Sequence, residues 1–543
     1  MKHSATVAPT IPVAVQVGFG GSRDFFVGMK VLDDERRELE AQLLALLTDV
    51  LRRLPEALGM SKHHFLCGVS QVAIGADALF TQACATLAIP QRVLLPQEKH
   101  AYLEAADSDG TPDFNAAQRQ HAIELLQLPH VVEERVVSDS SERSDQFVDA
   151  NLAISRTADV IIGIVRRSAK HKVGGTFDLI ERAASLGKPA LIMEVAIEGD
   201  KALMSPLLPV GQWLNGQGFV APGIPGELKG VGIEPVDFVT PDVDAYLQTI
   251  GREAGERSKA HSSLFKRGAL TVLIFHVAAT LLATFANKFH DGSLASALLF
   301  TELACLGAGL GAHLMLHKGH AVHVWAVTRL VAQMMTSLQA VRAAGGSLGY
   351  AVLMTWEEEF LPLLRTCTVL HLMQTRQQRC EPTAKLSLEA RRDAYCRSRI
   401  EEDGLGQLHY YRKQARQAKY RRKVATVAFW IFSLGAVMAT SLKWASLHGW
   451  LGNWGHHMLD WGGFFAIILP VIAVGFLSWS GASDLEARAA TFSAMSAFLE
   501  RQLPQLRAAT SDHELDTLVR ETETRLLGES HHWFSRRSFT DVT

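Results

Sequence analysis

Four long apolar segments constrain the fold of this chain more than any other feature. They are residues 268–286, 294–316, 424–442 and 461–479. A helix needs about 20 mostly apolar residues to cross a bilayer, because no water satisfies backbone groups in the hydrocarbon. The segments approach that length and are bounded by basic clusters and tryptophans, which favours membrane spans over buried helices of a soluble core. The links after the first and third segments are short, so the sequence predicts two transmembrane hairpins.

The positive charges beside these segments predict their orientation. Lysine and arginine concentrate before the first span, after the second and, most densely, before the third: Lys259, Lys266, Arg267, Lys318, Arg329, Arg412, Lys413, Arg416, Lys419, Arg421, Arg422 and Lys423. The two hairpin tips offer little beyond Lys288 and Lys443. Because positive charge marks the cytoplasmic side, we expect both termini and the middle segment in the cytosol. The first apolar run, residues 13–17, is too short for a secretory signal peptide, which agrees with that expectation.

Length, charge and cysteine spacing narrow the remaining possibilities. With 543 residues the chain is longer than one hydrophobic core usually organises, so we expect at least two domains. The formal net charge of -2 does not favour a stable nucleic-acid partner. The six cysteines lie far apart without the paired spacing of a zinc site or a disulfide framework, which predicts reduced thiols. We predict no metal site.

The first 200 residues alternate short apolar strands with amphipathic helices, a pattern typical of a parallel sheet with helical crossovers. The predicted strands are residues 13–17, 65–69, 92–95, 131–137, 159–165 and 190–194. A helix is predicted over residues 33–54, where leucine recurs at helical spacing. The predicted fold is therefore an α/β Rossmann-like domain followed by an all-α membrane domain. In such sheets ligands bind at the carboxyl ends of the strands.

Three glycine-containing loops follow or precede strands at the edge where that rule places a ligand. They are residues 18–25, 74–77 and 174–178. Glycine lets the backbone approach a phosphate closely, and the helices that follow the second and third loops present free N–H groups. In the first loop, Ser22 and Arg23 are able to donate hydrogen bonds to such a group. Each loop alone is an ordinary turn, but three at one edge predict an anion-binding site.

Four motifs in this region resemble the SLOG superfamily: GGSR at residues 20–23, GADALFTQACATLAIPQRVLLP at 75–96, ISRTADVIIGIV at 154–165 and GGTFDLIERAASLGKPALIM at 174–193. The resemblance covers about residues 10–195. It implies a Rossmann-like domain that binds a nucleotide or a nucleotide-derived ligand. It also implies a set of ligand-contact residues: Gly20, Gly21, Ser22, Arg23, Gly75, Asp77, Gly174, Gly175 and Thr176. Asp178 is a further candidate, as an acceptor for ribose hydroxyls or as a solvated helix start.

The same region departs from the enzymes of that superfamily. LOG enzymes, which hydrolyse nucleotides, carry the motif PGGxGTxxE with a catalytic glutamate. Here no proline precedes Gly174, and Leu179 stands three residues after Thr176, where the glutamate is expected. Glu181 comes two positions late. The incomplete motif leaves enzymatic activity an open question and favours sensing over hydrolysis, with no catalytic residue assigned and no cofactor required.

The C-terminal part resembles the SLATT family of two-transmembrane effector modules. The resemblance rests on YYRKQARQAKYRRKVATVAFW at residues 410–430 and on LVRETETRLLGESHHWFSRR at 518–537, and covers about residues 405–537. It implies a pore-forming or membrane-disrupting effector in a bacterial inner membrane. The middle segment, including the mixed-charge residues 388–403, is predicted to be helical with solvated faces.

Polar residues inside the first hairpin suggest a path for ions. His276 lies in the first span, and Glu302 and His313 lie on one face of the second. Folding the hairpin about residue 290 is expected to bring His276 and Glu302 to nearly the same depth. Ionisable groups inside a membrane are costly, so they face a partner or a water-filled path. Two interpretations stay open: these residues line or gate a pore, or Glu302 is neutral and hydrogen-bonded to His276.

The leading hypothesis combines both resemblances. A partner synthase would supply a nucleotide second messenger, such as a cyclic ADP-ribose isomer or a cyclic or short oligonucleotide. The ligand would open a homo-oligomer in the membrane during anti-phage defence. The alternatives are a membrane-tethered LOG-like nucleotide or NAD hydrolase and a nucleotide-regulated housekeeping ion channel.

The expected domains are 1–200 for sensing, 201–258 as a connection, 259–345 for the first hairpin with a trailing helix, 346–408 as a cytosolic helical segment and 409–543 for the second hairpin with flanking helices.

Overall fold

The computed structural model describes residues 11–26, 32–106, 112–166, 171–198, 201–210, 219–231, 242–288, 292–318, 320–346, 360–380, 387–401, 406–448 and 455–538. The chain forms two compact units. The sheet unit comprises Lys2–Thr249 and Leu353–Lys385. The membrane unit comprises Ile250–Val352 and Leu386–Thr543. The predicted domain boundaries stay predictions, and residues 353–385, inside the predicted segment 346–408, group with the sheet.

An eight-stranded sheet organises the sheet unit. Its strands are β1 Val13–Gly21, β2 His64–Ser70, β3 Gln91–Leu95, β4 Val131–Val136, β5 Val160–Arg166, β6 Ala190–Glu198, β7 Lys201–Met204 and β8 Leu208–Val210. The strand order is β4-β3-β2-β1-β5-β6-β7, with β8 also paired to β6. The first six strands are parallel, and β7 and β8 run antiparallel to β6. The six predicted strands and the Rossmann-like fold are therefore confirmed, whereas β7 and β8 lie in a stretch for which the sequence predicted no strand.

Helices cover both faces of this sheet. They are α1 Asp33–Ala57, α2 Ala76–Thr86, α3 Lys99–Glu104, α4 Ala116–Gln127, α5 Arg143–Thr157 and α6 Thr176–Ser185. Alternate residues of a strand point to opposite faces. In β5, Val160, Ile162 and Ile164 pack in the cluster that includes α1 and α2. Ile161, between them, packs with α5 and α6 on the other face. Because both faces are covered, the central strands are apolar throughout, as in parallel sheets generally.

A helix from a distant part of the chain completes this unit. Helix α10, Leu361–Cys380, packs against β1 and β4. The Thr366 hydroxyl accepts a hydrogen bond of 2.8 Å from the Ala14 N–H. Arg365 forms an ion pair of 2.6 Å with Asp159, the residue before β5. These contacts explain why residues far along the sequence belong to the N-terminal unit.

The membrane unit is helical. Its helices are α7 Val243–Lys288, which begins in the sheet unit, α8 Gly292–Lys318, α9 Ala321–Ala343, α11 Leu388–Tyr395, α12 Gln407–Leu447, α13 Gly455–Ala482, α14 Leu485–Ala508 and α15 Asp512–Ser538. Within the described ranges, four helices are long and apolar enough to cross a membrane, and each contains one predicted span. The buried fraction of each apolar window is low, between 6% and 22%. Apolar surface that the protein itself leaves uncovered is typical of lipid-facing helices and argues against a soluble core.

Close contacts fix how these four helices pack. Helices α12 and α13 form the most extensive pair. Helix α7 packs against α8, since a Cβ on Gly268 would lie 2.7 Å from the Leu316 side chain. On its other side α7 meets α13, where the rings of Phe285 and Phe464 are 4.6 Å apart. The order of packing is therefore α8, α7, α13, α12, with α8 at the periphery.

A buried ionic cluster lies in the same unit, outside the spans. Arg399 belongs to a short π-helical segment, Cys396–Glu401, that continues α11. Its guanidinium donates to both carboxylate oxygens of Glu523, at 2.8 and 2.7 Å. The Tyr395 hydroxyl donates to the same carboxylate at 2.8 Å. Both Arg399 and Tyr395 are buried, so the prediction of a solvated face over residues 388–403 is wrong at these two positions.

Candidate functional site

A cleft of about 580 Å³ opens in the sheet unit at the carboxyl ends of β1 and β5. The strand order reverses here: β2, β3 and β4 follow on one side of β1, and β5 and β6 follow on the other. The crossover helices therefore diverge to opposite faces and leave a crevice between the two strands. Doubly wound sheets bind their ligands at such a switch point. We call this cleft the switch-point cleft.

The end of β1 and the residues that follow it form one wall, so the predicted loop over residues 18–25 is wrong for residues 18–21, which continue the strand. Gly20, Gly21, Ser22 and Arg23 all line the cleft. The Ser22 N–H donates to the Ile164 carbonyl at 2.9 Å, and its hydroxyl accepts from the Arg166 N–H at 3.1 Å. A Cβ on Gly21 would lie 2.2 Å from the Cβ of Ala76. Only glycine allows the end of β1 to approach α2 this closely, which keeps the backbone at the edge of the cleft.

The second loop turns sharply at Gly75. This residue has a φ of +79°, and a Cβ there would lie 2.3 Å from the Arg23 carbonyl oxygen. Gly75 therefore packs against the backbone of Ser22 and Arg23. It is not among the residues that line the cleft. Asp77, two residues later in the first turn of α2, does line it. The Oδ1 atom of Asp77 is buried and has no hydrogen-bond partner among the described residues.

The third loop supplies the opposite wall. Gly174 has a φ of +72°, and Gly175 is the N-cap of α6. Both glycines and Thr176 line the cleft. The Asn151 side chain holds this loop, because its Nδ2 donates to the Gly175 carbonyl at 3.1 Å. The N-terminal end of α6 thus faces the cleft, and its partial positive charge favours an anion there.

Asp178 lies beneath the third loop, outside the residues that line the cleft. Its Oδ2 accepts hydrogen bonds from Arg182 at 2.9 Å and from Asn151 at 3.1 Å. Burial raises the pKa of Asp178, but the hydrogen bonds from Arg182 and Asn151 outweigh it and hold the pKa below its usual value. In this structure Asp178 is an ionised residue that positions the loop. Its predicted role as a ribose acceptor stays a prediction.

Three basic residues contribute positive charge to the cleft. Arg23, Arg143 and Lys172 line it. Arg23 and Arg143 both pair with Asp113, Arg23 at 3.4 Å. The Asp113 carboxylate is 1% exposed, whereas the Arg23 side chain is 40% exposed. The Arg23 Nη2 is buried and has no hydrogen-bond partner in the part of the chain that the structure describes.

Asp77 is the one acidic side chain among the described residues that line the cleft. Burial raises its pKa from 3.8 to about 7, although Arg23 and the Ala73 N–H each lower it. Near neutral pH the carboxyl therefore carries a proton for part of the time. In that form it is able to donate a hydrogen bond to a phosphate oxygen, which an ionised carboxylate would repel.

Eight of the ten predicted ligand residues line this cleft, Gly75 and Asp178 being the exceptions. Sequence reasoning missed Arg143, Asn151 and Lys172. Arg143 and Asn151 sit on α5, which no motif marked as part of the site. Only the packing of α5 beside α6 brings them to the cleft. Glu181 lies outside it, 68% exposed, and bonds to His171 at 3.0 Å.

The three polar span residues are not all brought together. A Cβ on Gly309 would lie 3.1 Å from the His276 imidazole, so His276 is level with Gly309. Glu302 is seven residues from Gly309, about 10 Å along the helix axis. The expectation that His276 and Glu302 share one depth is therefore wrong, because the hairpin folds at a different register. Glu302 is partly exposed on α8, and its predicted pore role stays a prediction. The ring of His313 stacks on His317, 6.4 Å away.

Metal ligation is also addressed by the geometry. Within the described residues, no group of three or more His, Cys, Asp or Glu side chains is placed to hold a metal ion.

Comparison with known families identifies one part of the chain. Residues 395–533 match the family SLATT_1, described as SMODS and SLOG-associating 2TM effector domain 1. The match contains α12 and α13 as its two transmembrane helices, together with α14 and the buried Arg399–Glu523 pair. The predicted SLATT resemblance is therefore confirmed for this region, and the chain carries a transmembrane effector domain. Comparisons with curated proteins and with solved structures gave no match.

Proposed function

We propose that this chain is a membrane effector of bacterial anti-phage defence, gated by a nucleotide-derived second messenger. The switch-point cleft would bind the messenger, and the four spans would open or disrupt the inner membrane as a homo-oligomer. Both termini would lie in the cytosol, so that the sheet unit meets ligand made inside the cell. The observation that carries the proposal is the cleft itself, in a chain that also contains an effector domain.

The cleft has the chemistry that a phosphate-bearing ligand requires. Its volume of about 580 Å³ lies in the range of small-molecule sites. The glycine loops give close backbone approach, and α6 points its N-terminus into the space. The partly exposed Arg23 side chain supplies positive charge, and Phe147 and Phe177 supply apolar and aromatic surface for a base. These features support the SLOG resemblance, which fits a nucleotide or a cyclic ADP-ribose isomer.

The membrane unit supports an oligomer. Four helices per chain are too few to enclose a wide pore. Helix α8 is peripheral, and its apolar window is only 6% buried, so a large face is available to a second copy or to lipid. Glu302 lies on this helix and has no partner among the described residues. A carboxylate in lipid is costly, and an assembly that surrounds Glu302 with water or with other subunits relieves that cost.

Ligand binding can open the pore only by favouring the open state. The messenger must therefore bind the open conformation more tightly than the closed one. The direct test is ionic current across bilayers that contain purified full-length protein, with and without cyclic ADP-ribose isomers and cyclic oligonucleotides. We expect current only with one of these ligands. A steady current without any ligand would instead favour a constitutive channel, and no current under any condition would contradict the proposal.

Replacing Arg23 by alanine is expected to weaken binding of the activating nucleotide by about tenfold to a hundredfold, the usual effect of losing a hydrogen bond to a charged group. Isothermal titration of the full-length protein in detergent measures this change. Arg53→Ala is the matched control, because Arg53 is 76% exposed and pairs only with Asp49 of its own helix among the described residues. Equal nucleotide affinities of the two variants would contradict a role for Arg23 in ligand binding.

Replacing Glu302 by glutamine is expected to lower ligand-activated cation current by about tenfold, since one negative charge per subunit leaves the proposed path. Glu302→Asp keeps the charge and is expected to retain most of the current. Thr301→Ala, at the neighbouring exposed position of α8, controls for changes of the helix surface. Unchanged current and toxicity in Glu302→Gln would exclude the pore role of this residue.

A second candidate function follows from Asp77. A buried carboxyl with a pKa of about 7 in a ligand cleft is suited to general acid–base catalysis. The alternative is a membrane-tethered nucleotide or NAD hydrolase. Incubating the full-length protein with NAD and with nucleoside monophosphates distinguishes it, because only an enzyme releases free base. Product release that Asp77→Asn abolishes would favour this alternative.

A further inference from the structure

A second, larger cleft of about 930 Å³ lies within the membrane unit, where the spans meet the helices that flank them. It is lined by residues of α7, α9, α12, α13, α14 and α15. One end is formed by Leu270, Leu273 and His276, inside the predicted first span. The other end extends to Ser258, ten residues before that span begins. The cleft therefore crosses the level at which the bilayer is expected to end, and we call it the boundary cleft.

Basic side chains converge on the half of the boundary cleft that lies outside the predicted first span, which we call its outer half. Lys259, Lys266, Arg329, Arg421 and Arg488 all line it, and none of the described residues that line it is acidic. Partial burial first, and then the nearby guanidinium groups of Arg488, Arg421 and Arg329, lower the pKa of Lys266. Mutual repulsion of this kind is relieved when an anion enters the space between the charges.

The carboxylates nearby neutralise only part of this charge. Arg329 pairs with Glu529 at 3.7 Å, and the Glu529 carboxylate also accepts from the Tyr411 hydroxyl at 3.3 Å. No ion pair joins Lys266 or Arg421 to a carboxylate within the described ranges. The outer half of the cleft therefore retains a net positive charge.

Aromatic rings hold two of the cations in place. The Lys266 ammonium lies 5.4 Å from the centre of the Trp325 ring, and the Arg329 guanidinium lies 4.3 Å from that of Trp533. The two tryptophans pack edge to face at 4.8 Å. Tryptophan is suited to the membrane interface, since its ring is apolar and its N–H is polar. Beyond the rings, the apolar α7 residues continue towards the bilayer core.

We propose that the boundary cleft binds an anionic phospholipid, with the phosphate among these basic side chains and an acyl chain along Leu270 and Leu273. Basic pockets between membrane helices on the cytoplasmic side recognise lipid phosphate in this way, and arginine matches its geometry. A free phosphate compound shares the headgroup chemistry but would leave the apolar half of the cleft in contact with water. The amphiphilic lining therefore selects a lipid. This inference requires the spans to lie in a bilayer and is independent of nucleotide gating.

The test is native mass spectrometry of full-length protein, delipidated in detergent and titrated with phosphatidylglycerol. Two variants lose the same charge: Lys266→Gln/Arg421→Gln changes the cleft, whereas Arg416→Gln/Lys419→Gln changes exposed residues of α12 outside it. We expect the first pair to weaken lipid binding about thirtyfold and the second to leave it near the unmodified value. Phosphatidylcholine is expected to bind weakly to every form.

A charge-preserving variant separates binding from folding. Lys266→Arg/Arg421→Lys is expected to retain the lipid, which shows that the cleft tolerates substitution at both positions. Equal loss in the two neutralising pairs would overturn the proposal, because the attraction would then be non-specific. Displacement of the lipid by inorganic phosphate or glycerol phosphate at similar concentration would overturn the assignment to a lipid. Nucleotide affinity, measured in parallel, reports separately on the switch-point cleft.

Discussion

Replacing Glu523 by alanine is expected to lower the free energy of unfolding of the membrane unit by about 3–5 kcal/mol, the usual effect of breaking a buried ion pair. The Glu523 carboxylate is fully buried and is held by Arg399 at 2.8 and 2.7 Å and by the Tyr395 hydroxyl at 2.8 Å. The variant leaves the Arg399 guanidinium buried without its counter-charge. Thermal unfolding of the purified protein in detergent, followed by tryptophan fluorescence, measures the loss.

A surface pair with the same chemistry provides the control. Arg412 and Glu500 are joined at 2.9 Å, but their side chains are 50% and 44% exposed. Glu500→Ala is therefore expected to change the free energy of unfolding by less than about 1 kcal/mol. Replacing both members of the buried pair, as in Arg399→Met/Glu523→Leu, is expected to restore much of the stability, because no unpaired charge remains. Similar effects of Glu523→Ala and Glu500→Ala would show that the buried pair does not stabilise this unit.

Asp77→Asn is expected to stabilise the sheet unit at pH 8 and to leave it unchanged near pH 3. The folded-state pKa of Asp77 is raised from 3.8 to about 7, because burial disfavours the charged form. Below pH 4 the carboxyl is protonated in both states, and its burial has no electrostatic cost. Between pH 4 and pH 7 only the unfolded state ionises, so stability falls as pH rises. Above pH 7 the loss is complete, at most about 4 kcal/mol for a shift of this size.

The measurement compares unfolding of the native protein and the variant at several pH values between 3 and 8. Asp49→Asn is the matched control, since the Asp49 side chain is 44% exposed on α1. We expect the advantage of Asp77→Asn to grow between pH 4 and pH 7, and the control to show no such growth. Parallel curves for the native protein and Asp77→Asn would contradict the raised pKa.

The same variant affects ligand binding in a defined direction. A protonated Asp77 is able to donate to a phosphate oxygen, whereas its ionised form repels the ligand. Nucleotide affinity of the native protein is therefore expected to fall as pH rises through 7, and that of Asp77→Asn to stay nearly constant. The amide keeps a donor at every pH, so the variant separates a binding role from acid–base catalysis, which it would abolish.

Local patterns in the sequence predicted the elements well. A parallel strand that is buried on both faces has to be apolar, so the six strands of the parallel sheet were visible as short apolar runs. The four spans were visible for a related reason, since lipid demands about 20 apolar residues whatever the tertiary contacts. The glycine loops marked the switch-point cleft because close backbone approach excludes a side chain. Gly21, where a Cβ would meet Ala76 at 2.2 Å, is an example.

Contacts between distant residues were not predicted in the same way. Asp77 and Asp178 both stand near the start of a helix that follows a glycine loop, and the sequence treated both as ligand candidates. Only packing distinguishes them. Arg182 and Asn151 donate hydrogen bonds to Asp178, whereas Asp77 lines the cleft and its buried Oδ1 has no hydrogen-bond partner among the described residues. The hairpin register likewise depends on Gly268 meeting Leu316, which moves Glu302 away from His276.

The sequence by itself determined that the chain combines a parallel α/β sheet with four helices long and apolar enough to span a membrane. Periodicity and hydropathy reflect the local surroundings of each segment, so they are readable without tertiary contacts. The tertiary structure alone decided which charges are paired. Arg399 is neutralised by Glu523, 124 residues later, whereas Lys266 and Arg421 meet other cations across the boundary cleft. The energy of a charge depends on its distance to other charges and on its burial, and neither quantity follows from the order of residues along the chain.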